Sequence, residues 1–275
     1  MKQYLIATQL GVSILALRDR LSVSWAGWKR KDSVGCLAND ALATRLVTRL
    51  CRPGMVFVDV GAHIGSVTSQ VLRFCPSVRI EAVEASVSKC ESLRRRFPGV
   101  TVHPFAAGDS DDQFIEYFEF PSRSGFNTTV RPSGAMAAQA AITRVPMRML
   151  DGLIGPEGVD VLKIDVEGAE LRVLEGSTHI LEASRPTVMF ESTPEPIARQ
   201  HSRARQLYGW LEQRGYVVLL PDRVAHLDDG LSLWGFVDSH VHPRRSTNFF
   251  AVPKEKRGEL RVRARQILGL DRPPS

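Results

Sequence analysis

The sequence predicts an α/β fold with a doubly wound, mostly parallel sheet, and three observations carry the prediction. First, Met55–Val60 is an apolar run closed by Pro53-Gly54 on one side and Gly61 on the other, as expected of an interior parallel strand. Second, strand and helix signals alternate from there: a helix over Gly65–Cys75, a strand over Val78–Val83, a helix capped by Ser86 and carried to Phe97, and a strand over Val100–Phe105. Third, the alternation resumes with a buried strand at Val159–Ile164, a helix over Ala169–Leu181, a strand at Pro186–Phe190, a helix over Ile197–Arg214, and strands at Tyr216–Leu220 and Phe249–Val252. Between the two halves, Gln113–Phe120 and Thr143–Met147 read as short strands around a polar, Gly- and Ala-rich insert, Ser122–Gln139, expected to be a mobile loop.

Composition agrees with a single large core. The 275 residues are 43% hydrophobic and 24% charged, which excludes wholesale disorder, collagen and coiled coil. Cys36, Cys51, Cys75 and Cys90 form no C-x-x-C pair and no Cys/His set at zinc-finger spacing, so a reducing compartment fits better than a disulfide framework. The net charge of +6 is unevenly placed: residues 1–53 carry nine Lys or Arg against three Asp, and residues 254–275 carry seven against three acids, leaving an acidic middle. That distribution argues against a nucleic-acid-binding core. The basic ends are read as solvated segments, with peripheral contact to an anionic membrane surface or a charged glycan as the alternative. Tyr4–Leu17 is apolar but broken by Thr8, Gln9 and Ser13. It is shorter than the roughly 20 residues a bilayer span needs, so a packing helix and a cytoplasmic protein are expected.

The chemistry concentrates at Val58-Asp-Val-Gly-Ala-His-Ile-Gly65, between a strand and a helix. Glycines at such a turn let backbone approach a ligand and open a helix N-terminus toward it. The spacing is not the dinucleotide G-x-G-x-x-G, which disfavours a nicotinamide dehydrogenase. It is D-x-G-x-x-x-G, the form used by class I S-adenosylmethionine (SAM) methyltransferases, with Asp59, Gly61 and Gly65 in the key places. Glu84, at the tip of the next strand, is placed to accept hydrogen bonds from two ribose hydroxyls.

With Phe57–Gly65, three further runs, Ala106–Asp109, Asp160–Glu170 with Val173–Gly176, and Asn248–Pro253, resemble the FkbM family of SAM-dependent methyltransferases over about residues 50 to 253. The resemblance implies a Rossmann-like seven-stranded sheet with a final antiparallel strand, SAM as cofactor, and methylation of a hydroxyl on a sugar, glycolipid, polysaccharide or macrolide-type product. It divides the chain into a helical, basic extension (1–53), the methyltransferase domain (54–253) and a basic tail (254–275). It places Asp59, Gly61, Ala62, His63, Gly65, Glu84, Ala85, Ala107 and Asp109 at the cofactor. His63 stands where the family commonly has Asn, and Ala85 where Pro is common.

A sugar hydroxyl is a poor nucleophile, so the reaction needs a group that orients it and takes its proton. Asp165, closing the fourth strand of the sheet near the transferred methyl, is the first candidate for that base. Glu191 at the neighbouring strand tip is its partner, and the two could instead hold a divalent metal. Glu167 and Glu170 suit helix capping or substrate contact equally. In the insert, Phe126 offers an aromatic face to a sugar, and Arg123 and Arg131 offer cations to an anionic group, so the loop is expected to cover the acceptor. Asp238, His240 and His242 are a weak candidate metal cluster, and Lys163 is expected to serve packing or to meet a carboxylate. N-methylation, and a SAM-binding module with little catalytic power, remain as alternatives.

Overall fold

The computed structural model describes residues 31–271 except 112, 121–124, 126, 133, 156–157 and 194–199. The predicted helix at Tyr4–Leu17, and Arg123 and Phe126 of the insert, lie outside the described residues.

The chain enters through α1 (Val34–Leu50) and then alternates: β1 (Val56–Val60), α2 (Ser66–Phe74), β2 (Arg79–Val83), α3 (Val87–Arg96) and β3 (Thr101–His103). After β4 (Ala106–Ala107), β5 (Gln113–Glu119) and β6 (Ala141–Arg148) come α4 (Leu150–Ile154), β7 (Val161–Ile164), α5 (Glu170–Glu175), α6 (Thr178–Ala183) and β8 (Thr187–Glu191). The last part holds α7 (Gln200–Gln213), β9 (Tyr216–Leu219), α8 (Leu233–Ser239), β10 (Asn248–Pro253) and α9 (Arg257–Leu268). Seven strands form one sheet in the order β3-β2-β1-β7-β8-β10-β9, parallel except for β10, which runs antiparallel to both neighbours. This is the Rossmann-like class I arrangement that the resemblance implies. The order reverses beside β1, which puts a crevice at the C-terminal ends of β1, β2, β7 and β8.

Side-chain alternation along the strands splits the core in two. Phe57, Ile80, Met189 and Phe250 pack under α1, α2, α3 and α9, whereas Val58, Val60, Leu162, Ile164 and Phe190 pack under α5 to α8. The expected basic tail is therefore not a solvated segment over 257–268: α9 buries Leu260 and Ala264 beside Leu46 and Leu50 of α1. Its apolar positions are spaced by helical turns between arginines, so a charge count alone hides the packing stripe. α1 is fastened at its other end by Asp40, whose Oδ1 accepts from the Thr247 and Asn248 N–H groups at 2.9 and 3.1 Å.

Two expected elements differ. The helix over Ala169–Leu181 is broken into α5 and α6 at Gly176, where a Cβ would stand 1.8 Å from the Gly108 carbonyl oxygen. Between the expected strands at Tyr216–Leu220 and Phe249–Val252, where the sequence marks no element, the chain forms α8, begun by Ser232, whose hydroxyl accepts from the Gly235 N–H at 3.1 Å. Ser86 occupies the N-cap of α3, but its hydroxyl meets Ser88 Oγ instead of a backbone N–H. β4, β6 and β5 make a separate three-stranded sheet with its own small cluster of Ala106, Tyr117 and Val145.

Candidate active site

A cleft of about 200 Å³ opens at the C-terminal strand edge. Gly61 and His63 after β1, Glu84 and Ala85 after β2, Ala107 of β4, and Asp165, Glu167 and Glu191 after β7 and β8 all line it. So do Gly125, Asn127, Thr128 and Thr129 of the insert.

The donor side is set by backbone geometry. Gly61 has φ +72°, and a Cβ there would lie 1.8 Å from the Asp165 carbonyl oxygen, so the β1 turn and the β7 turn touch through bare backbone. The Gly61 and Ala62 N–H groups both donate to the Val83 carbonyl, at 2.9 and 3.1 Å. Glu84 is buried, and its carboxylate accepts from the His63 N–H and the Ser86 N–H, each at 2.8 Å. A carboxylate has about four lone-pair directions; these two and a longer contact from Tyr117 Oη at 3.4 Å take three, which leaves one for a hydroxyl in the cleft. His63 takes φ +52°, where Asn is among the favoured residues.

Several expected cofactor residues support the cleft without facing it. Asp59 is fully buried under α2: Oδ2 accepts from Thr68 Oγ1 at 2.7 Å, and Oδ1 forms an ion pair with Lys163 Nζ at 3.0 Å. Gly65 has φ +77°, and a Cβ there would meet Phe97 and Leu93 at 2.6 and 2.7 Å, so its role is helix packing. Ala62 is buried and accepts the Gly65 N–H at 2.8 Å. Asp109 is taken by Arg172, whose Nη2 and Nε lie 2.8 and 3.2 Å from Oδ1, and this partner holds its carboxyl below the usual range. Arg131 bonds Glu116 and lies over the Phe118 ring at 5.6 Å, away from the cleft.

Lys163 is the hub between the two turns. Its ammonium reaches Asp59 at 3.0 Å, the Gly61 carbonyl at 3.1 Å and Asp165 Oδ2 at 3.5 Å. Burial opposes its charge, but Asp59 and then Asp165 outweigh burial and raise its pKa above the ordinary value.

Opposite stand three carboxylates. Asp165, Glu167 and Glu191 each offer an oxygen, all within 4.8 Å of one another. Burial first, then the charges of Asp165 and Glu170, push Glu167 up to about 7. Burial and the charges of Asp165 and Glu167 push Glu191 well above the carboxylate range, so at neutral pH it carries a proton that it can donate to Asp165. Glu167 has φ +55°, and its carbonyl accepts from Thr128 Oγ1 at 2.8 Å, which ties the insert to the carboxylates. Glu170, the first residue of α5, braces the loop before it: it is buried, burial pushes it up to about 7, and it accepts the Gly168 N–H at 2.9 Å, while α5 itself has no side-chain cap.

The sequence reading missed Tyr117 and Lys89, both in the cleft wall. Tyr117 Oη donates to Glu84 Oε1 at 3.4 Å, and burial raises its pKa. β5 buries Tyr117 and Phe118 side by side, so no alternation marks Tyr117 in the sequence. Asp238, His240 and His242 separate: Asp238 pairs with Arg245, His242 with Asp32, and buried His240 bonds Phe236 O and Ser192 Oγ, both at 2.8 Å. Among the described residues the only metal-sized carboxylate set is the one at the cleft.

The Methyltransferase FkbM domain matches residues 59–218, more than half of the chain. The chain belongs to the FkbM methyltransferase family. SAM is the methyl donor of this FkbM domain, and the Glu84 carboxylate with the Gly61–His63 backbone is a cradle that fits it. Among solved structures, the precorrin-6y C5,15-methyltransferase of Geobacter metallireducens GS-15 is similar at 16% identity and TM-score 0.38, over 65% of this chain and 72% of that one. A TehB-like SAM-dependent methyltransferase of Corynebacterium glutamicum is similar at 10% identity and TM-score 0.39, over 77% and 85%. Geranyl diphosphate C-methyltransferase of Streptomyces coelicolor A3(2) is similar at 13% identity and TM-score 0.39, over 77% and 76%. No curated protein matches the chain by sequence. No helix among the described residues is long and apolar enough to cross a membrane.

Proposed function

We propose that this FkbM methyltransferase moves the methyl of SAM to a hydroxyl of a sugar, glycolipid, polysaccharide or glycosylated product. The observation that carries the reading is the set of three carboxylates facing the donor cradle across one cleft. SAM supplies an activated methyl on a sulfonium, already a good leaving group. What remains for the protein is to aim an alcohol oxygen and remove its proton. Asp165, first candidate from the sequence, is held beside the Lys163 ammonium at 3.5 Å and beside a protonated Glu191. At the end of β7 and facing the cleft, it is placed to orient the hydroxyl. Glu167, pushed up to about 7, is matched to neutral pH and takes the proton. The basicity is what an O–H acceptor needs and what an amine acceptor, carrying its own lone pair, does not. Asn127, Thr128 and Thr129 add small hydrogen-bonding groups over the cleft, in keeping with a polyol acceptor.

The test is SAM turnover with hydroxyl-bearing glycans and glycolipids, together with mass spectrometry of glycans and lipids from cells with and without the gene. A gain of one methyl on an oxygen supports the reading. Methyl transfer to nitrogen, or SAM binding with no transfer to any such extract, refutes it. The same three oxygens are also a hard donor set for a divalent cation. Loss of activity on chelation, restored by magnesium or manganese, would replace the base by a metal.

A further inference from the structure

The two helical layers carry opposite charge. In α1, α2, α3 and α9, Lys and Arg number two, one, four and four, against Asp40, Glu91 and Glu259. In α4 to α8, six acids face three arginines. The basic residues gather where α1, α2 and α9 meet. Among the described residues no carboxylate lies within ion-pair distance of Arg45, Arg49, Arg73, Arg261 or Arg263. The Nε atoms of Arg49, Arg261 and Arg263 are buried without a hydrogen-bond partner, a costly state for a donor. Burial and the neighbouring charges of Arg45 and Arg73 depress the Arg49 pKa. Apolar groups stand among these cations: Phe74 is 42% exposed, Val262 51% and Leu270 45%.

We infer that the α1–α2–α9 face docks on an anionic lipid bilayer. Unpaired cations around protruding apolar side chains match an interface with acidic headgroups outside and acyl chains beneath. A nucleic acid is the poorer fit. Its bases need an open aromatic face, and the Arg49 guanidinium already covers Phe74 at 4.0 Å from the ring centroid. With this layer on the lipid, the strand edge bearing the cleft stands upright and opens sideways along the membrane. The inference stands on the charge of one face and does not depend on which acceptor is methylated.

Vesicle cosedimentation of the full chain tests it, comparing phosphatidylcholine alone with vesicles that are about one third phosphatidylglycerol. Binding is expected only to the anionic vesicles, and is expected to fade as salt rises to about 0.5 M. Arg45→Glu with Arg73→Glu should weaken that binding at least about 25-fold, roughly five-fold for each lost cation. Arg205→Glu, on the opposite layer, should leave it within about two-fold. If the reversals unfold the chain, judged by lost SAM binding in calorimetry, Arg45→Gln with Arg73→Gln serves in their place. Equal binding to neutral vesicles, binding unaffected by the reversals, or salt-dependent binding to an oligonucleotide without binding to vesicles would overturn the inference.

Discussion

Replacing Lys163 by Met isolates the hub of the site. The change removes the ammonium that lies 3.0 Å from Asp59 and 3.1 Å from the Gly61 carbonyl, and leaves Asp59 fully buried with only Thr68 to accept from. Removing one partner of a buried ion pair costs about 3–5 kcal/mol, because the other charge is stranded. For a domain of this size that corresponds to a melting temperature lower by roughly 6–20 °C. Urea unfolding should show a midpoint shift at constant slope. The double variant Asp59→Asn with Lys163→Met makes the reasoning specific: Asn still accepts from Thr68 but carries no charge. It should be more stable than Lys163→Met alone by about 2 kcal/mol, an antagonistic coupling that only a stranded charge produces. If Lys163→Met costs less than about 1 kcal/mol, or if the second change adds to the loss, Lys163 is not neutralising a buried carboxylate.

Glu84→Ala should weaken SAM binding roughly 10- to 150-fold in calorimetry while the chain stays folded, since a charge-assisted bond to a hydroxyl is lost; unchanged affinity would remove Glu84 from the cradle. For the base, kcat/KM should rise with unit slope up to about pH 7, where Glu167 loses its proton, and then level off. Glu167→Gln should flatten that limb and lower kcat about 100-fold or more with SAM affinity unchanged; a retained limb would assign the proton elsewhere. Glu167 and Glu191 bind protons more tightly folded than unfolded, so their contribution to stability is fullest below the unfolded carboxylate pKa and is lost as pH rises through the folded values. Glu191→Gln should therefore raise the melting temperature at pH about 8 and change it little at pH about 4, and equal shifts at both would contradict the assignment.

How much of this was legible beforehand follows from what local pattern can encode. β1 and β7 are visible because strands buried on both faces write nearly continuous apolar runs, broken only at Asp59 and Lys163, which pair with each other, and Gly61 and Glu84 because close backbone approach and strand-tip carboxylates leave short motifs. The motif assigns Asp59 to the cofactor site, and parity adds where its side chain goes: two residues after Phe57, it shares that residue's face of the sheet and points under α2. α1 and α9 escaped because each finds its apolar partners in the other, more than 200 residues away in sequence, as Arg263 Nη2 bonding Arg49 O shows. Asp109 and Arg131 were read as ligand contacts because a sequence does not show the Arg172 and Glu116 that occupy them. The raised pKa of Glu167 comes first from burial and then from the charges of Asp165 and Glu170, and spacing alone does not report burial.

The contact between Gly61 and Asp165 has a bearing on how such an enzyme can acquire new acceptors. With room for no side chain between the two turns, the turn after β1 and the turn after β7 move together, and a shift on either side would be felt on the other. The β4–β6–β5 sheet is a separate piece: it holds its own cluster of Ala106, Tyr117 and Val145, and the chain between β5 and β6 supplies Asn127, Thr128 and Thr129 to the rim of the cleft. Substitutions in that rim can reshape the entrance without disturbing the chemistry beneath it. Exchange of residues 113–148 between relatives is thus the economical route to altered acceptor preference, whereas changes at residues 59–65 or 163–170 put donor binding and proton removal at risk together.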